Sequence, residues 1–356
     1  MSTVDNWQLW VRRADLTVSG PRAAAHPALA PGAVRLEVEK FALTMNVVTY
    51  ARLGDQTLPY WNAFPAPAGY GRVPVWAFVR VIDSRNPAIP VGGRYFGFVP
   101  IGTHHTVEAL PTSRGFEDAD PDRAFMPAWY RTFQPAAEPD DLDDLRAVFR
   151  PIFPASFTLA AFVAGLAADG IKSALITSAS SRTAIGLAHL LARDTGLPAA
   201  GLTSAANHGF AAGTGCYGSV ARYDEPAAVS VLAPAVLVDL TGSHRVITDV
   251  HERFAGALGH VALVGFTHPD SQQHGPALTD PKPQFFFAPW AEKRMVADEG
   301  ESRFYARYHE AEQRFLESAT AWLTIRRQQG PEAIAKAFGA LLAGTVPAGV
   351  TDVLSP

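Results

Sequence analysis

The stretch SALITSASSRTAIGLAHLLA at 173 to 192 narrows the possible folds most: an apolar run breaks into a turn of small residues and resumes with helical spacing. Strand, tight turn and helix in that order form a βα unit, and the start of such a helix presents backbone N–H groups that attract phosphate. A dinucleotide fingerprint would read G-x-G-x-x-G, its glycines serving the tight turn, the close pyrophosphate approach and the helix packing. Here Ser178, Ala179, Ser180, Ser181, Arg182 and Thr183 make the turn, and Ala184 and Gly186 follow. The last two predict a helix lying close to the sheet, while a Cβ stands where a glycine would leave room for the pyrophosphate. The same residues equally describe a βα unit that holds no nucleotide.

The segments downstream repeat the pattern. AAGLTS at 199 to 204, GSVARYDE at 218 to 225, AVLVDLTGS at 235 to 243 and HVALVGFTH at 260 to 268 read as short buried strands, several of them separated by helical stretches. That alternation predicts an α/β fold with a doubly wound parallel sheet, whose ligands bind beyond the carboxyl ends of the strands. An acid ending the second strand would bond the adenine ribose of NAD, but Thr203 and Ser204 end it, with Asn207 and His208 close behind. No acid repels a 2′-phosphate and hydroxyl and amide donors are at hand, so NADP is expected over NAD. Tyr223, ending the third strand, joins the candidate cofactor contacts. Ser204 reads equally well as a helix N-cap.

With 356 residues, 48% of them hydrophobic, 18% charged and a net charge of −4, the chain suits a soluble globular protein of about two domains. Arg and Lys are scattered, so there is no electrostatic footprint for nucleic acid. The first twenty residues lack an apolar signal core, and runs such as TLAAFVAGLAA at 158 to 168 are too short to span a bilayer. A cytoplasmic protein without a membrane partner is expected. Cys216 is the only cysteine, which rules out a disulfide within the chain and any cysteine-based metal cluster.

Near residue 150 a Pro-rich, strand-and-loop texture gives way to the Ala- and Leu-rich alternating part. AVRLEVEKFALT at 33 to 44, VPVWAFVRVIDS at 73 to 84 and PVGGRYFGFVPIG at 90 to 102 predict a twisted, barrel-like β domain. The acidic AAEPDDLDDLRAVFRP at 136 to 151 reads as a solvated loop entering a helix near Leu142. FFFAPWAEKR at 285 to 294 is costly to expose and is expected to wall a cleft or form a subunit contact. Its Lys293 and Arg294 neutralise cofactor phosphates or a carboxylated substrate, unless they form surface ion pairs. LPYWNAFPAPAGYG at 58 to 71 and FMPAWYRTF at 125 to 133 add apolar surface and point to a small hydrophobic substrate.

FALTMNVVTYARLGD at 41 to 55 resembles the quinone-reductase loop that reads roughly N-P-V-E-T-Y-I-R-x-G. VPVWAFVRVIDSRNPAIPVGGRYFGFVP at 73 to 100 is similar to the strand and hairpin that follow it, and GPEAIAKAFGALLAGTVPAGVTDVL at 330 to 354 to the closing helix, turn and strand. On these motifs nearly the whole chain resembles the medium-chain dehydrogenase/reductase superfamily in its zinc-independent, quinone-oxidoreductase-like branch. TSASSRTAIGLA, GLTSAANHGF and FFFAPWAEKR resemble the DUF2855-like set within it.

That resemblance implies a GroES-like β-rich catalytic domain at 1–153, a Rossmann dinucleotide-binding domain at 154–300 and a C-terminal return at 301–356. Substrate and nicotinamide then meet in a cleft between domains, in a monomer or homodimer. It implies Tyr50 as the group that polarises the substrate oxygen, Asn46 from the same loop at a spacing one residue different, and Asp239, Thr241 and Gly242 beside the nicotinamide ribose and carboxamide. The cysteine-rich zinc sites of the alcohol dehydrogenases cannot be built from one cysteine, and His104 and His105, adjacent on a strand, point opposite ways. His268, after VALVGFT, is best placed to face the cleft. The expected activity is metal-free, NADPH-dependent reduction of a hydrophobic conjugated carbonyl or quinone. A lyase, aldol-type enzyme or hydrolase using His268, His105 or Asp239, and a non-catalytic ligand-binding protein, stay open beside it.

Overall fold

Every residue of the strands Ser173–Thr177, Ala199–Thr203 and Ala235–Asp239 is buried, the pattern of a parallel sheet covered on both faces. The computed structural model describes residues 6–55, 59–264 and 280–356. The chain divides into two units, one of residues 149–323 and one of residues 1–148 with 324–356.

In the unit 149–323 the strands are β1 (Ser173–Thr177), β2 (Ala199–Thr203), β3 (Ser219–Arg222), β4 (Ala235–Asp239), β5 (Leu258–Leu263) and β6 (Gln284–Phe285). They pair in parallel in the order β3-β2-β1-β4-β5-β6. The chain moves one way from β1 to β3 and the other way from β4, so the order reverses between β1 and β4. In such sheets this reversal opens a crevice beyond the strand ends where a ligand fits.

The helix Arg182–Leu190 starts from Ser181, whose side chain caps Ala184 N–H. Gly186 on it answers to a neighbouring helix rather than to the sheet: a Cβ there would meet Ser156 Oγ of the helix Phe153–Ala168 at 2.7 Å. The unit also keeps the long helix Glu301–Ala319, which the sequence boundary at 300 assigned to the C-terminal return. Aromatic packing explains this, with Phe304 and Tyr308 on Phe157 and Phe315 on Phe149 and Phe153.

The other unit is a barrel. Strand Ala33–Leu43 pairs with Pro74–Ser84, that with Arg94–Pro100, then Thr132–Pro135, Gly115–Asp118 and His104–Thr112, which returns to Ala33–Leu43 and closes the ring. All these pairs are antiparallel. Register shifts at Arg35/Leu36 and Val38/Lys40 are bulges that add the twist one strand needs to serve two neighbours. Leu36, Phe41, Val75, Val79, Val107 and Phe133 fill the interior, each worth about 1.5–3 kcal/mol of burial.

The acidic segment departs from its expected place in solvent. Asp140 and Asp141 are exposed, but Asp143 and Asp144, at the start of the helix Asp143–Phe149, are buried. Arg94 reaches Asp143 with two nitrogens at 3.0 and 2.8 Å, Lys40 bridges both aspartates, and Arg327 bonds Asp144. The partners lie far away in sequence, so nothing in the local charge run shows the pairing. Among the described residues no single helix is long and apolar enough to cross a membrane.

Candidate functional site

The turn after β1 carries the first constellation. Ser178 takes the left-handed backbone conformation, φ 52°, which a side chain adopts at a cost of about 1–2 kcal/mol. Its N–H donates to the Tyr223 hydroxyl at 2.7 Å, so the residue just after β3 helps to hold the strained turn. Ala179 is buried and tied by its N–H to Leu202 O, while its own carbonyl accepts from Tyr217 at 2.8 Å. Ser180 accepts a hydrogen bond from Thr203 at 3.1 Å, which joins the turn to the end of β2.

Ser181 Oγ accepts from Ala184 N–H and its carbonyl from Ile185 N–H. The donors of Ala184 and Ile185 are used in this way, and the N–H of Thr183 is of the kind a helix start offers to an anion. Burial draws the Arg182 guanidinium down to about 10, still charged at neutral pH. Ser204 is exposed and precedes a short turn whose last residue, Asn207, is half-buried. No side-chain cap bond occupies Ser204, which leaves its hydroxyl available.

Asp239 ends β4 with no exposed surface. Its carboxylate accepts from Thr177 at 2.6 Å, Thr241 at 2.7 Å and Gly242 N–H at 2.9 Å. A carboxylate so enclosed shapes the loop that carries Thr241 and Gly242 and is badly placed to move protons. Burial, with the Asp239 charge adding to it, pushes the Tyr223 phenol up to about 12. The ends of β1, β3 and β4 thus form one hydrogen-bonded group at the reversal of strand order. Lys293 and Arg294 are exposed on the helix Ala288–Glu299, and Trp290 there is 64% exposed. His268 lies outside the described residues.

The second constellation belongs to the barrel unit. The segment read as a loop is a helix, Met45–Arg52, so Asn46 and Tyr50 stand one turn apart on one face. Asn46 Nδ2 and Trp76 Nε1 both donate to the Tyr50 oxygen at 3.2 Å, and the Thr44 hydroxyl donates to Asn46 Oδ1. With two donors on its oxygen, the Tyr50 hydroxyl keeps its own proton to give. Burial holds this phenol well above its ordinary value, so it stays protonated.

Around it pack Tyr60 at 4.8 Å, Phe98 at 5.2 Å and Tyr130 at 6.3 Å between ring centroids, and the Tyr60 and Tyr130 hydroxyls meet at 3.5 Å. The aromatic segments had announced apolar surface but not which rings meet. The Trp76 donor was hidden in a strand whose neighbours are all buried. His105, the other acid-base candidate, is buried apart from this group, packed on Phe64. Among the described residues no group of three or more His, Cys, Asp or Glu stands where it could hold a metal ion.

Residues 41–347 match the family model described as "Protein of unknown function (DUF2855)". No curated protein matches the sequence. Among solved structures, the chain resembles CurA from Vibrio vulnificus, with a TM-score of 0.61 and 14% identity over 98% of each chain. The same protein in complex with NADPH gives a TM-score of 0.59 and 15% identity, again over 98% of each chain. The quinone oxidoreductase from Coxiella burnetii gives 0.57 and 14% over 99% of each chain. At such identities the likeness shows a shared fold.

Proposed function

This chain belongs to the DUF2855 family, and we propose that it is an NADPH-dependent reductase of a small apolar conjugated carbonyl or quinone. The observation that carries the reading is the turn Ser178–Thr183 at the reversal between β1 and β4, beside a β2 end that bears hydroxyls and no acid. The NADPH bound by CurA and the likeness to the quinone oxidoreductase from Coxiella burnetii support it.

The residues present fit the cofactor. The first-turn N–H of Thr183, with the nearby Arg182 charge, suits a pyrophosphate. Ser204 and Asn207 suit a 2′-phosphate, and the small residues of the turn keep the backbone approachable. Thr241 and Gly242, held by Asp239, suit the ribose and carboxamide end, and exposed Lys293 offers a positive charge to the cofactor phosphates. Bound there, the nicotinamide would supply hydride to the carbon conjugated with the carbonyl.

Tyr50 then answers the charge that gathers on the substrate oxygen. A neutral phenol with a free O–H, clamped by Asn46 and Trp76, donates a hydrogen bond without having to reorganise. The aromatic surroundings exclude water and favour a flat apolar substrate. We assign Tyr50 the polarising role and Asn46 that of a positioning residue.

Tyr50→Phe removes that proton and leaves the two N–H donors unpaired. We expect kcat for NADPH oxidation with a panel of simple enones and quinones to fall about a hundredfold or more. The KM for NADPH stays unchanged, and the stability cost is about 1–3 kcal/mol. Full activity in the folded variant would remove Tyr50 from the chemistry. Nicotinamide-independent turnover by the wild-type protein would favour the lyase or hydrolase reading instead.

A further inference from the structure

A cavity of about 210 Å3 opens in the barrel unit, lined in part by Asn6, Arg35, Arg72 and by both His104 and His105, so these two do not part to opposite sides as strand alternation predicts. Its ionisable lining is all cationic or imidazole, with His26 completing it, and no carboxylate among the described residues lines it. Asn6 is spent on Ala24 O and Ala25 O and accepts from Thr103. Arg35 is shared with Asp83 at 3.5 Å and with Pro27 O.

Arg72 differs in having no carboxylate partner among the described residues; its Nε, like that of Arg35, is enclosed without a hydrogen-bond partner, as are His105 Nε2 and His104 Nδ1. The charge that bears on it is that of Arg123, a second cation, already neutralised by Asp118 and Asp120. Burial and these two arginines hold His105 well below its ordinary value; burial first, then His26 and Arg35, lower His104. The His26 and His104 rings meet edge to face at 4.7 Å. A buried guanidinium with no counter-charge is costly unless something anionic completes it.

We propose that this cavity binds a small oxyanion, a carboxylate or a phosphate, on the Arg72 guanidinium with His104 and His105 as neighbouring N–H donors. The planar fork of arginine matches both anions, and each neutral imidazole brings one N–H. The size argues for a small ligand, since pockets for drug-sized molecules run to about 300–1,000 Å3. The site uses neither Tyr50 nor the phosphate turn, so it stands or falls separately from the reductase reading.

The test is calorimetric titration of the full-length protein with sodium phosphate and with sodium acetate, against sodium chloride at matched ionic strength. Saturable binding in either oxyanion arm and not with chloride is expected, and the arm that saturates names the ligand class. Arg72→Gln should weaken it about tenfold or more. Arg72→Met, with the charge gone, should melt no lower than wild type in the absence of the anion and gain nothing from it. If neither neutral variant folds, Arg72→Lys keeps the charge without the fork and should bind several-fold more weakly. No saturable binding in wild type, or the same affinity in wild type and in the folded Arg72 variants, would overturn the proposal; the second result would place the ion elsewhere, for instance at the phosphate turn.

Discussion

Ser204→Asp is expected to weaken NADPH binding about a hundredfold while leaving NADH binding unchanged or better. Ser204 is exposed at the end of β2, next to Thr203, whose hydroxyl bonds Ser180 in the turn. The β2 end and the turn are therefore one hydrogen-bonded piece, and in the proposed binding mode a carboxylate placed there would face the 2′-phosphate that NADPH carries and NADH lacks. Two unit charges 4 Å apart near a protein surface repel by about 4 kcal/mol, and salt screening reduces this toward the roughly 2.7 kcal/mol that a hundredfold represents. The substitution touches no buried contact, so the melting temperature of the free protein should stay put. Equal losses for the two nucleotides would move the 2′-phosphate away from Ser204.

The largest effect on stability is expected from Asp143→Ala. Side chains of Asp143 and Arg94 are 3% and 1% exposed and meet through two hydrogen bonds. Removing one partner of a buried pair costs about 3–5 kcal/mol because the other charge stays buried. Glu39 still bonds Arg94 Nε at 2.6 Å, so the loss should fall at the lower end. Even so, the thermal midpoint of the barrel unit should drop by about 10 °C. Asp141→Ala, in the same charge run but exposed, should change stability by less than about 0.5 kcal/mol. The network also makes the barrel acid-sensitive. Burial alone would push the Asp144 carboxyl up, but hydrogen bonds from Lys40 and Arg327 outweigh it and hold the group below its ordinary value. A depressed carboxyl contributes its stability above the unfolded value near pH 3.9 and loses it as pH falls through the folded one. Unfolding of wild type followed from pH 6 to pH 2 should show that loss below about pH 4, and Asp144→Asn should blunt it.

The strands β1, β2 and β4 were legible because each is a short run buried on both faces, and Ala33–Leu43 of the barrel because polar and apolar residues alternate along much of it. Their order was not in any local pattern: that β4 lies beside β1 is decided by pairing between distant segments. Gly186 announced a close approach that the sequence reading assigned to the sheet, whereas it is made to Ser156 on another helix. Of the site, the turn and the hydroxyl-bearing end of β2 could be read directly, as could Tyr50 through its motif. The Tyr223 hydroxyl on Ser178 N–H, the clamp of Trp76 on Tyr50 and the buried Asp143 are long-range contacts between side chains, and residue type alone does not announce them. Asp239 looked like a ligand contact because it ends a strand in the right place; its three donors are spent on fixing the loop.

Titration of the purified protein with NADPH and with NADH, followed by nicotinamide fluorescence, tests the central claim most directly. Saturable, micromolar binding of NADPH is expected, with binding of NADH at least about tenfold weaker, for want of the phosphate that we propose Ser204 and Asn207 receive. Failure of both nucleotides to bind would contradict that claim and leave the turn after β1 as a structural βα unit.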